Sequence, residues 1–108
     1  MWNEVAGAAR DRALLVQMAV AEATGVGLMQ LCASERGSPR SALARQMAMY
    51  LCRLVLAMTP AEVGQVFGRD RKTVCHALLR VEELREDYEF DRAMSLLEAG
   101  LSRFGRSA

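Results

Sequence analysis

Arg69, Asp70, Arg71 and Lys72 occupy consecutive positions, followed by Thr73 and then by the chain's single histidine, His76. Guanidinium and ammonium groups donate hydrogen bonds and accept none, while a hydroxyl and an imidazole can do either, so the set suits anions and acceptor-rich surfaces. It is a set for recognition. Catalysis through a nucleophile needs a base and an orienting partner within reach. One histidine, with no clustered acid and nucleophile, leaves nothing to build a reaction from. Cys32, Cys52 and Cys75 stand about twenty residues apart, without the short paired spacings of zinc sites, and read as small apolar fillers in a reducing cytosol. The expectation is a protein that is not an enzyme, with no catalytic or metal-binding residues and no cofactor.

The placement of the cations matters more than their number. Net charge is only +1, yet from Arg36 to Arg80 eight Arg/Lys face Glu62 and Asp70, leaving that stretch at +6 and the remainder at −5. A basic middle between acidic ends is what an electrostatic footprint in a neutral protein looks like, although a solvated surface can produce it too. At 108 residues and 52% hydrophobic residues, with only two prolines, the chain reads as one folded, all-α domain over 1–108. No stretch approaches the roughly 18 apolar residues of a membrane span. The run "ALLVQMAV" at 13–20 is broken by Gln17 and preceded by Glu4 and Asp11, so it is not read as an export signal, and a cytoplasmic location is expected.

Periodicity and punctuation predict five to six helices. The first runs from about Glu4 to Thr24, with Leu14, Leu15, Met18 and Ala21 or Ala23 as its apolar groups and Gly25 as its cap. A turn or two of "LMQLCA" precedes a basic loop, "SERGSPRS", that holds Arg36 and Arg40. A long helix follows from about Ser41 to Ala57, with Leu43, Met47, Tyr50, Leu51, Leu54 and Met58 at three- and four-residue intervals. Thr59, Pro60 and Glu62 carry the signature of a helix start, and the short helix they open ends at Phe67 and Gly68. Asp70 caps the next helix, which reaches about Arg85 with Val74, Ala77, Leu78, Val81 and Leu84 inward. A last helix starts at Asp91, with Phe90, Ala93, Leu96, Leu97 and Leu101 on its inner side.

Two helices joined across 68–70 must cross steeply, which calls for a small residue at the contact and one free to take positive φ in the turn. Gly64 and Gly68 meet those demands. An αα-corner in an ordinary bundle has the same needs, so spacing alone leaves corner and helix-turn-helix both open. Projection of the second helix at about 100° per residue favours the latter. It sets Val74, Ala77, Leu78 and Val81 on one side and Lys72, His76 and Glu83 opposite, with Arg71 at the tip. Leu79 also projects outward. In a helix-turn-helix that N-terminal outer corner enters the major groove of DNA. Cations there oppose the helix dipole at a cost of about 0.3 to 1 kcal/mol each, less than the roughly 1 to 3 kcal/mol of a good bidentate base contact.

The stretch "ARQMAMYLCRLVLAMTPAEVGQVFGRDRKTVCHALLRVEELRED" at 44–87 resembles the C-terminal DNA-binding domain of the bacterial replication initiator DnaA, with its RQ-x-AMYL run, its short helix ending in FG and its RD-x-x-TV-x-HA run. The resemblance implies an all-α, Trp-repressor-like bundle with the helix-turn-helix over about 60–85, and double-stranded DNA as partner. It implies Asp70, Arg71, Lys72, Thr73 and His76 as base readers, and Arg36, Arg40, Arg45, Gln46, Arg53, Thr59, Pro60 and Arg69 as backbone contacts; an N-cap role competes with base reading at Asp70. No GxxxxGK[ST] phosphate loop accompanies it, so ATPase activity does not carry over. Arg71-Lys72 replaces the family's His-Thr pair, one glycine stands where two are usual, and Gly37 takes the place of a minor-groove arginine, with Arg36 and Arg40 as substitutes. These departures imply an altered target. Regulation of replication initiation or transcription is the expected role; the alternative is a protein-interaction module that binds DnaA or a replication regulator. A homodimer is compatible with so small a DNA-binding surface.

Overall fold

Capping residues set most of the helix boundaries. The computed structural model describes residues 2–33 and 37–107, with side chains over 7–33 and 37–103. Among these it forms six α-helices and no strand: α1 (Trp2–Thr24), α2 (Leu28–Cys32), α3 (Pro39–Leu56), α4 (Pro60–Phe67), α5 (Arg71–Leu84) and α6 (Tyr88–Ser107). Gly25, at φ +74°, closes α1 by donating its N–H to Ala21 O at 2.9 Å. Two starts differ from those expected. Ser38 Oγ accepts the Ser41 N–H at 3.1 Å with Pro39 in the first position, so α3 begins before Ser41. Asp87, not Asp91, caps α6, its Oδ1 accepting the Phe90 N–H at 3.0 Å. Asp91 falls inside the first turn, and its carboxylate is taken by Arg85.

The core runs along α3, whose Ala44, Met47, Ala48, Met49, Tyr50, Leu51 and Cys52 are buried against α1 on one side and α5 on the other. On α5 the seam is Val74, Ala77 and Val81, as expected, with Leu78 and Leu84 half-buried. On α1 the inner face is Ala13, Val16, Gln17 and Val20, whereas Leu14, Leu15 and Met18 are about half exposed. The expected face was therefore out of phase. A helix apolar on several sides has no unique seam, and the small Ala13 and β-branched Val16 and Val20 allow the closer approach to α3. On α6 Leu101 is buried and Phe90 and Leu97 pack against the core as expected, but Met94 is buried where Ala93 and Leu96, both exposed, were expected.

Arg85 ties three helices together. Its guanidinium donates to Glu98 and Asp91 carboxylates and to Ser95 Oγ on α6, and to Tyr50 Oη on α3. Tyr50 in turn donates to Glu82 Oε2 of α5 at 2.9 Å. With both carboxylates present, a largely buried guanidinium is compensated rather than stranded. The network fixes the end of α5 and leaves its beginning to the turn.

Candidate nucleic-acid interface

The approach to α5 is determined by three residues of the preceding turn. Thr59 and Glu62 form a capping box on α4, with Thr59 Oγ1 accepting the Glu62 N–H at 3.2 Å and Glu62 Oε1 accepting the Thr59 N–H at 2.8 Å. Val63 and Phe67 of α4 are buried. Gly64 lies where α4 meets the chain entering α5, and a Cβ there would stand 2.5 Å from Arg69 O. No side chain fits at that distance. Gly64 O accepts the N–H groups of Gly68 and Arg69, and Gly68 takes φ +64°, the left-handed conformation that glycine adopts without strain. Asp70 Oδ1 then accepts the Thr73 N–H at 2.7 Å and starts α5. That backbone bond, with the Thr73 hydroxyl and the nearby Lys72 and His76, holds the Asp70 carboxyl below its ordinary range.

Arg71, Lys72, Thr73 and His76 are all exposed on the outward side of the first two turns of α5. Arg71, Lys72 and His76 make no hydrogen bond or ion pair among the described residues. Asp70 stands beside them with one oxygen committed to the cap, which limits what it can offer an incoming group. The corner as a whole presents donors to solvent.

The expected backbone contacts are placed differently. Arg36 lies outside the described residues. Arg40 is exposed and donates to Thr24 O at 2.8 Å, the last carbonyl of α1. Arg45 is only 7% exposed, and its Nε and Nη2 donate to Leu31 O at 2.9 Å and Gln30 O at 3.2 Å, the carbonyls that end α2. Burial, then the neighbouring Arg69 cation, lowers its pKa. Arg53 is exposed and donates to Met58 O at 3.3 Å between α3 and α4. Arg69, half-buried, donates from Nη1 to Phe67 O at 3.2 Å and Gly68 O at 3.4 Å, and from Nη2 to Ala33 O at 3.1 Å. Gln46 is half-buried on α3, and the exposed Thr59 and half-buried Pro60 form the start of α4. Cations near helix C-termini satisfy carbonyls that have no partner within the helix. These arginines, expected at the DNA backbone, thus also serve the fold, and for Arg45 and Arg69 the sequence carries no signal of the distant carbonyls they reach.

Beside the corner, Tyr50, Arg53 and Leu54 of α3 and Leu78, Leu79 and Glu82 of α5 line a largely apolar cleft of about 190 Å³. Leu79 is 60% and Leu54 50% exposed. The outward projection expected for Leu79 is what the structure contains.

Residues 14–81 match the family model described as the bacterial dnaA protein helix-turn-helix. The chromosomal replication initiator protein DnaA 1 of Chlamydia pneumoniae is 32% identical over 93 residues, which are 86% of this chain and 20% of that protein. The DnaA of Aquifex aeolicus is 39% identical over 67 residues, 60% of this chain and 17% of its own. In three dimensions, a crystal structure of a DNA replication initiation factor superposes with a TM-score of 0.79 at 31% identity, covering 88% of this chain and 29% of that one. The chain thus spans about a fifth of the length of the initiators it matches.

Proposed function

Because this chain belongs to the bacterial DnaA helix-turn-helix family, we propose that it binds double-stranded DNA with α5 as the recognition helix and acts in the control of replication initiation or transcription. One observation carries this reading. Arg71, Lys72 and His76 project from the N-terminal corner of α5 without a hydrogen bond or ion pair among the described residues, on a helix whose entry is fixed by Gly64, Gly68 and Asp70. Arg71 and Lys72 donate to the O6 and N7 acceptors of guanine in the major groove, and Thr73 and His76 extend the contact along the same face. Asp70 acts chiefly as the cap.

Phosphate contacts come from Arg36, Arg40 and Arg53, from Gln46, and from the start of α4 at Thr59 and Pro60, where the capping box already uses the Thr59 and Glu62 N–H groups and leaves the Ala61 N–H to face an anion. Arg40 and Arg53 each use one nitrogen on a carbonyl and keep further donors for a phosphate oxygen. Arg45 and Arg69 are withdrawn from that group, since two guanidinium nitrogens of each are engaged with main-chain carbonyls and neither side chain is exposed. The reading is of a binding module, not an enzyme. Selection of bound duplexes from a random pool tests it: enrichment of a short preferred sequence is expected, and recovery of no sequence above background contradicts it.

The apolar cleft favours a second reading, a protein-interaction module engaging an initiator or its regulator through Leu54 and Leu79. It takes over if no duplex binding is measurable at about 50 mM salt, where even non-specific phosphate contacts are visible.

A further inference from the structure

Three carbonyls at the end of α2, those of Gln30, Leu31 and Ala33, receive two guanidinium groups from elsewhere in the chain: Arg45 of α3 takes the first two and Arg69 of the helix-turn-helix turn takes the third. Arg69 also donates to Phe67 O and Gly68 O at the end of α4. Its two terminal nitrogens therefore bridge Ala33, 36 residues earlier in the chain, to the end of α4 at the entry to α5. Among the described residues no other hydrogen bond joins these two regions. Resting on the DNA-binding reading above, we propose that Arg69 is a positioning residue, a latch that ties the end of α2 to the turn before α5 and so holds the recognition helix at the angle at which it meets DNA.

Chemistry distinguishes a latch from a phosphate contact. A planar guanidinium offers donors in two directions at once, and lysine has the charge without that fork. A phosphate contact is largely restored by lysine, whereas a bridge between two sets of carbonyls is not. Nor does the latch add a phosphate to the interface, so its loss leaves the salt dependence of non-specific binding unchanged. Arg45 keeps α2 attached to α3 when Arg69 is replaced, so the fold has a second anchor at the same helix end.

The experiment compares the full-length chain with Arg69→Met and Arg69→Lys, using the selected duplex and a random duplex across a salt series, with backbone amide exchange at Leu31 and Ala33 in the free proteins. Circular dichroism confirms that both variants are helical. Both variants are expected to lose about tenfold in affinity for the selected duplex, as for one lost base-pair recognition, and to bind random duplex nearly as the parent does. Exchange at the end of α2 is expected to quicken by roughly fivefold or more relative to α5. Restoration by lysine, or a salt slope on random duplex shallower by about 0.9 in the methionine variant, makes Arg69 a phosphate contact and overturns the latch. Unchanged exchange overturns it even where wild-type binding is intact. A wild-type chain that binds no duplex overturns the DNA reading and the positioning role together, and the exchange data then show that the mechanical tie itself stands.

Discussion

Two groups of cations on this small chain differ in what they touch. Arg40, Arg45, Arg53 and Arg69 each donate to a main-chain carbonyl in a loop or at a helix end, while Arg71 and Lys72 have no such partner among the described residues. Both groups look alike in the sequence, as basic residues in a basic stretch. The difference lies in the geometry of helix ends. A cation near the C-terminal end of a helix can reach unpaired carbonyls there, whereas the N-terminal turn of its own helix presents N–H groups and gives it nothing to bind. Nearness to another helix's end therefore decides a cation's role: Arg40, in the first turn of α3, is recruited by the last carbonyl of α1, while Arg71 and Lys72 are left available for an external partner.

The contrast can be broken first at the turn that both groups share. Gly64→Ala should lower stability the most, by about 3 kcal/mol, because its Cβ would meet main-chain Arg69 O; a urea midpoint near that of the parent would show that the turn tolerates displacement. Arg45→Met should cost about 2 kcal/mol in the same assay, since it removes two charged hydrogen bonds from a buried site. Arg71→Ala should change stability by less than about 0.5 kcal/mol. If the two arginine variants shift the midpoint equally, the division between fold and interface fails. Thr59→Ala should cost about 1 kcal/mol through loss of the α4 cap.

The smallest effect is one of pH. Backbone hydrogen bonds from Thr59 and Thr73 lower the pKa of Glu62 and Asp70 respectively. A carboxylate held lower in the folded than in the unfolded chain contributes stability above its unfolded pKa, near 4, and loses it as pH falls through the folded value. Helicity should thus weaken on acidification below about pH 4, and less in Asp70→Asn, which keeps an accepting oxygen that does not titrate. An identical acid transition in that variant would remove Asp70 from the linkage.

Local chemistry made much of the fold legible. Thr59-Pro60, Gly68 and Asp70 each name a boundary, and the structure has α4 and α5 where those residues set them. Gly64 at the crossing and Val74, Ala77 and Val81 in the core followed from spacing. The inner face of α1 did not, because Leu14, Leu15 and Met18 offer a seam as apolar as Ala13, Val16 and Val20, and only packing against α3 selects between them. The start of α6 was missed for a related reason: Asp87 and Asp91 are both competent caps, and Arg85 claims the second. At the candidate interface, the exposed corner of α5 was readable by projection. The carbonyl partners of Arg45 and Arg69 were not, since they lie 14 and 36 residues away in sequence.

The central claim is that the corner of α5 reads bases. Its most direct measurement is the affinity of wild type, Arg71→Ala and Lys72→Ala for the selected duplex and for random duplex at one fixed salt concentration. Each variant should lose roughly tenfold or more on the selected sequence and much less on the random one. Equal losses on both duplexes would contradict base reading and leave Arg71 and Lys72 as phosphate contacts only.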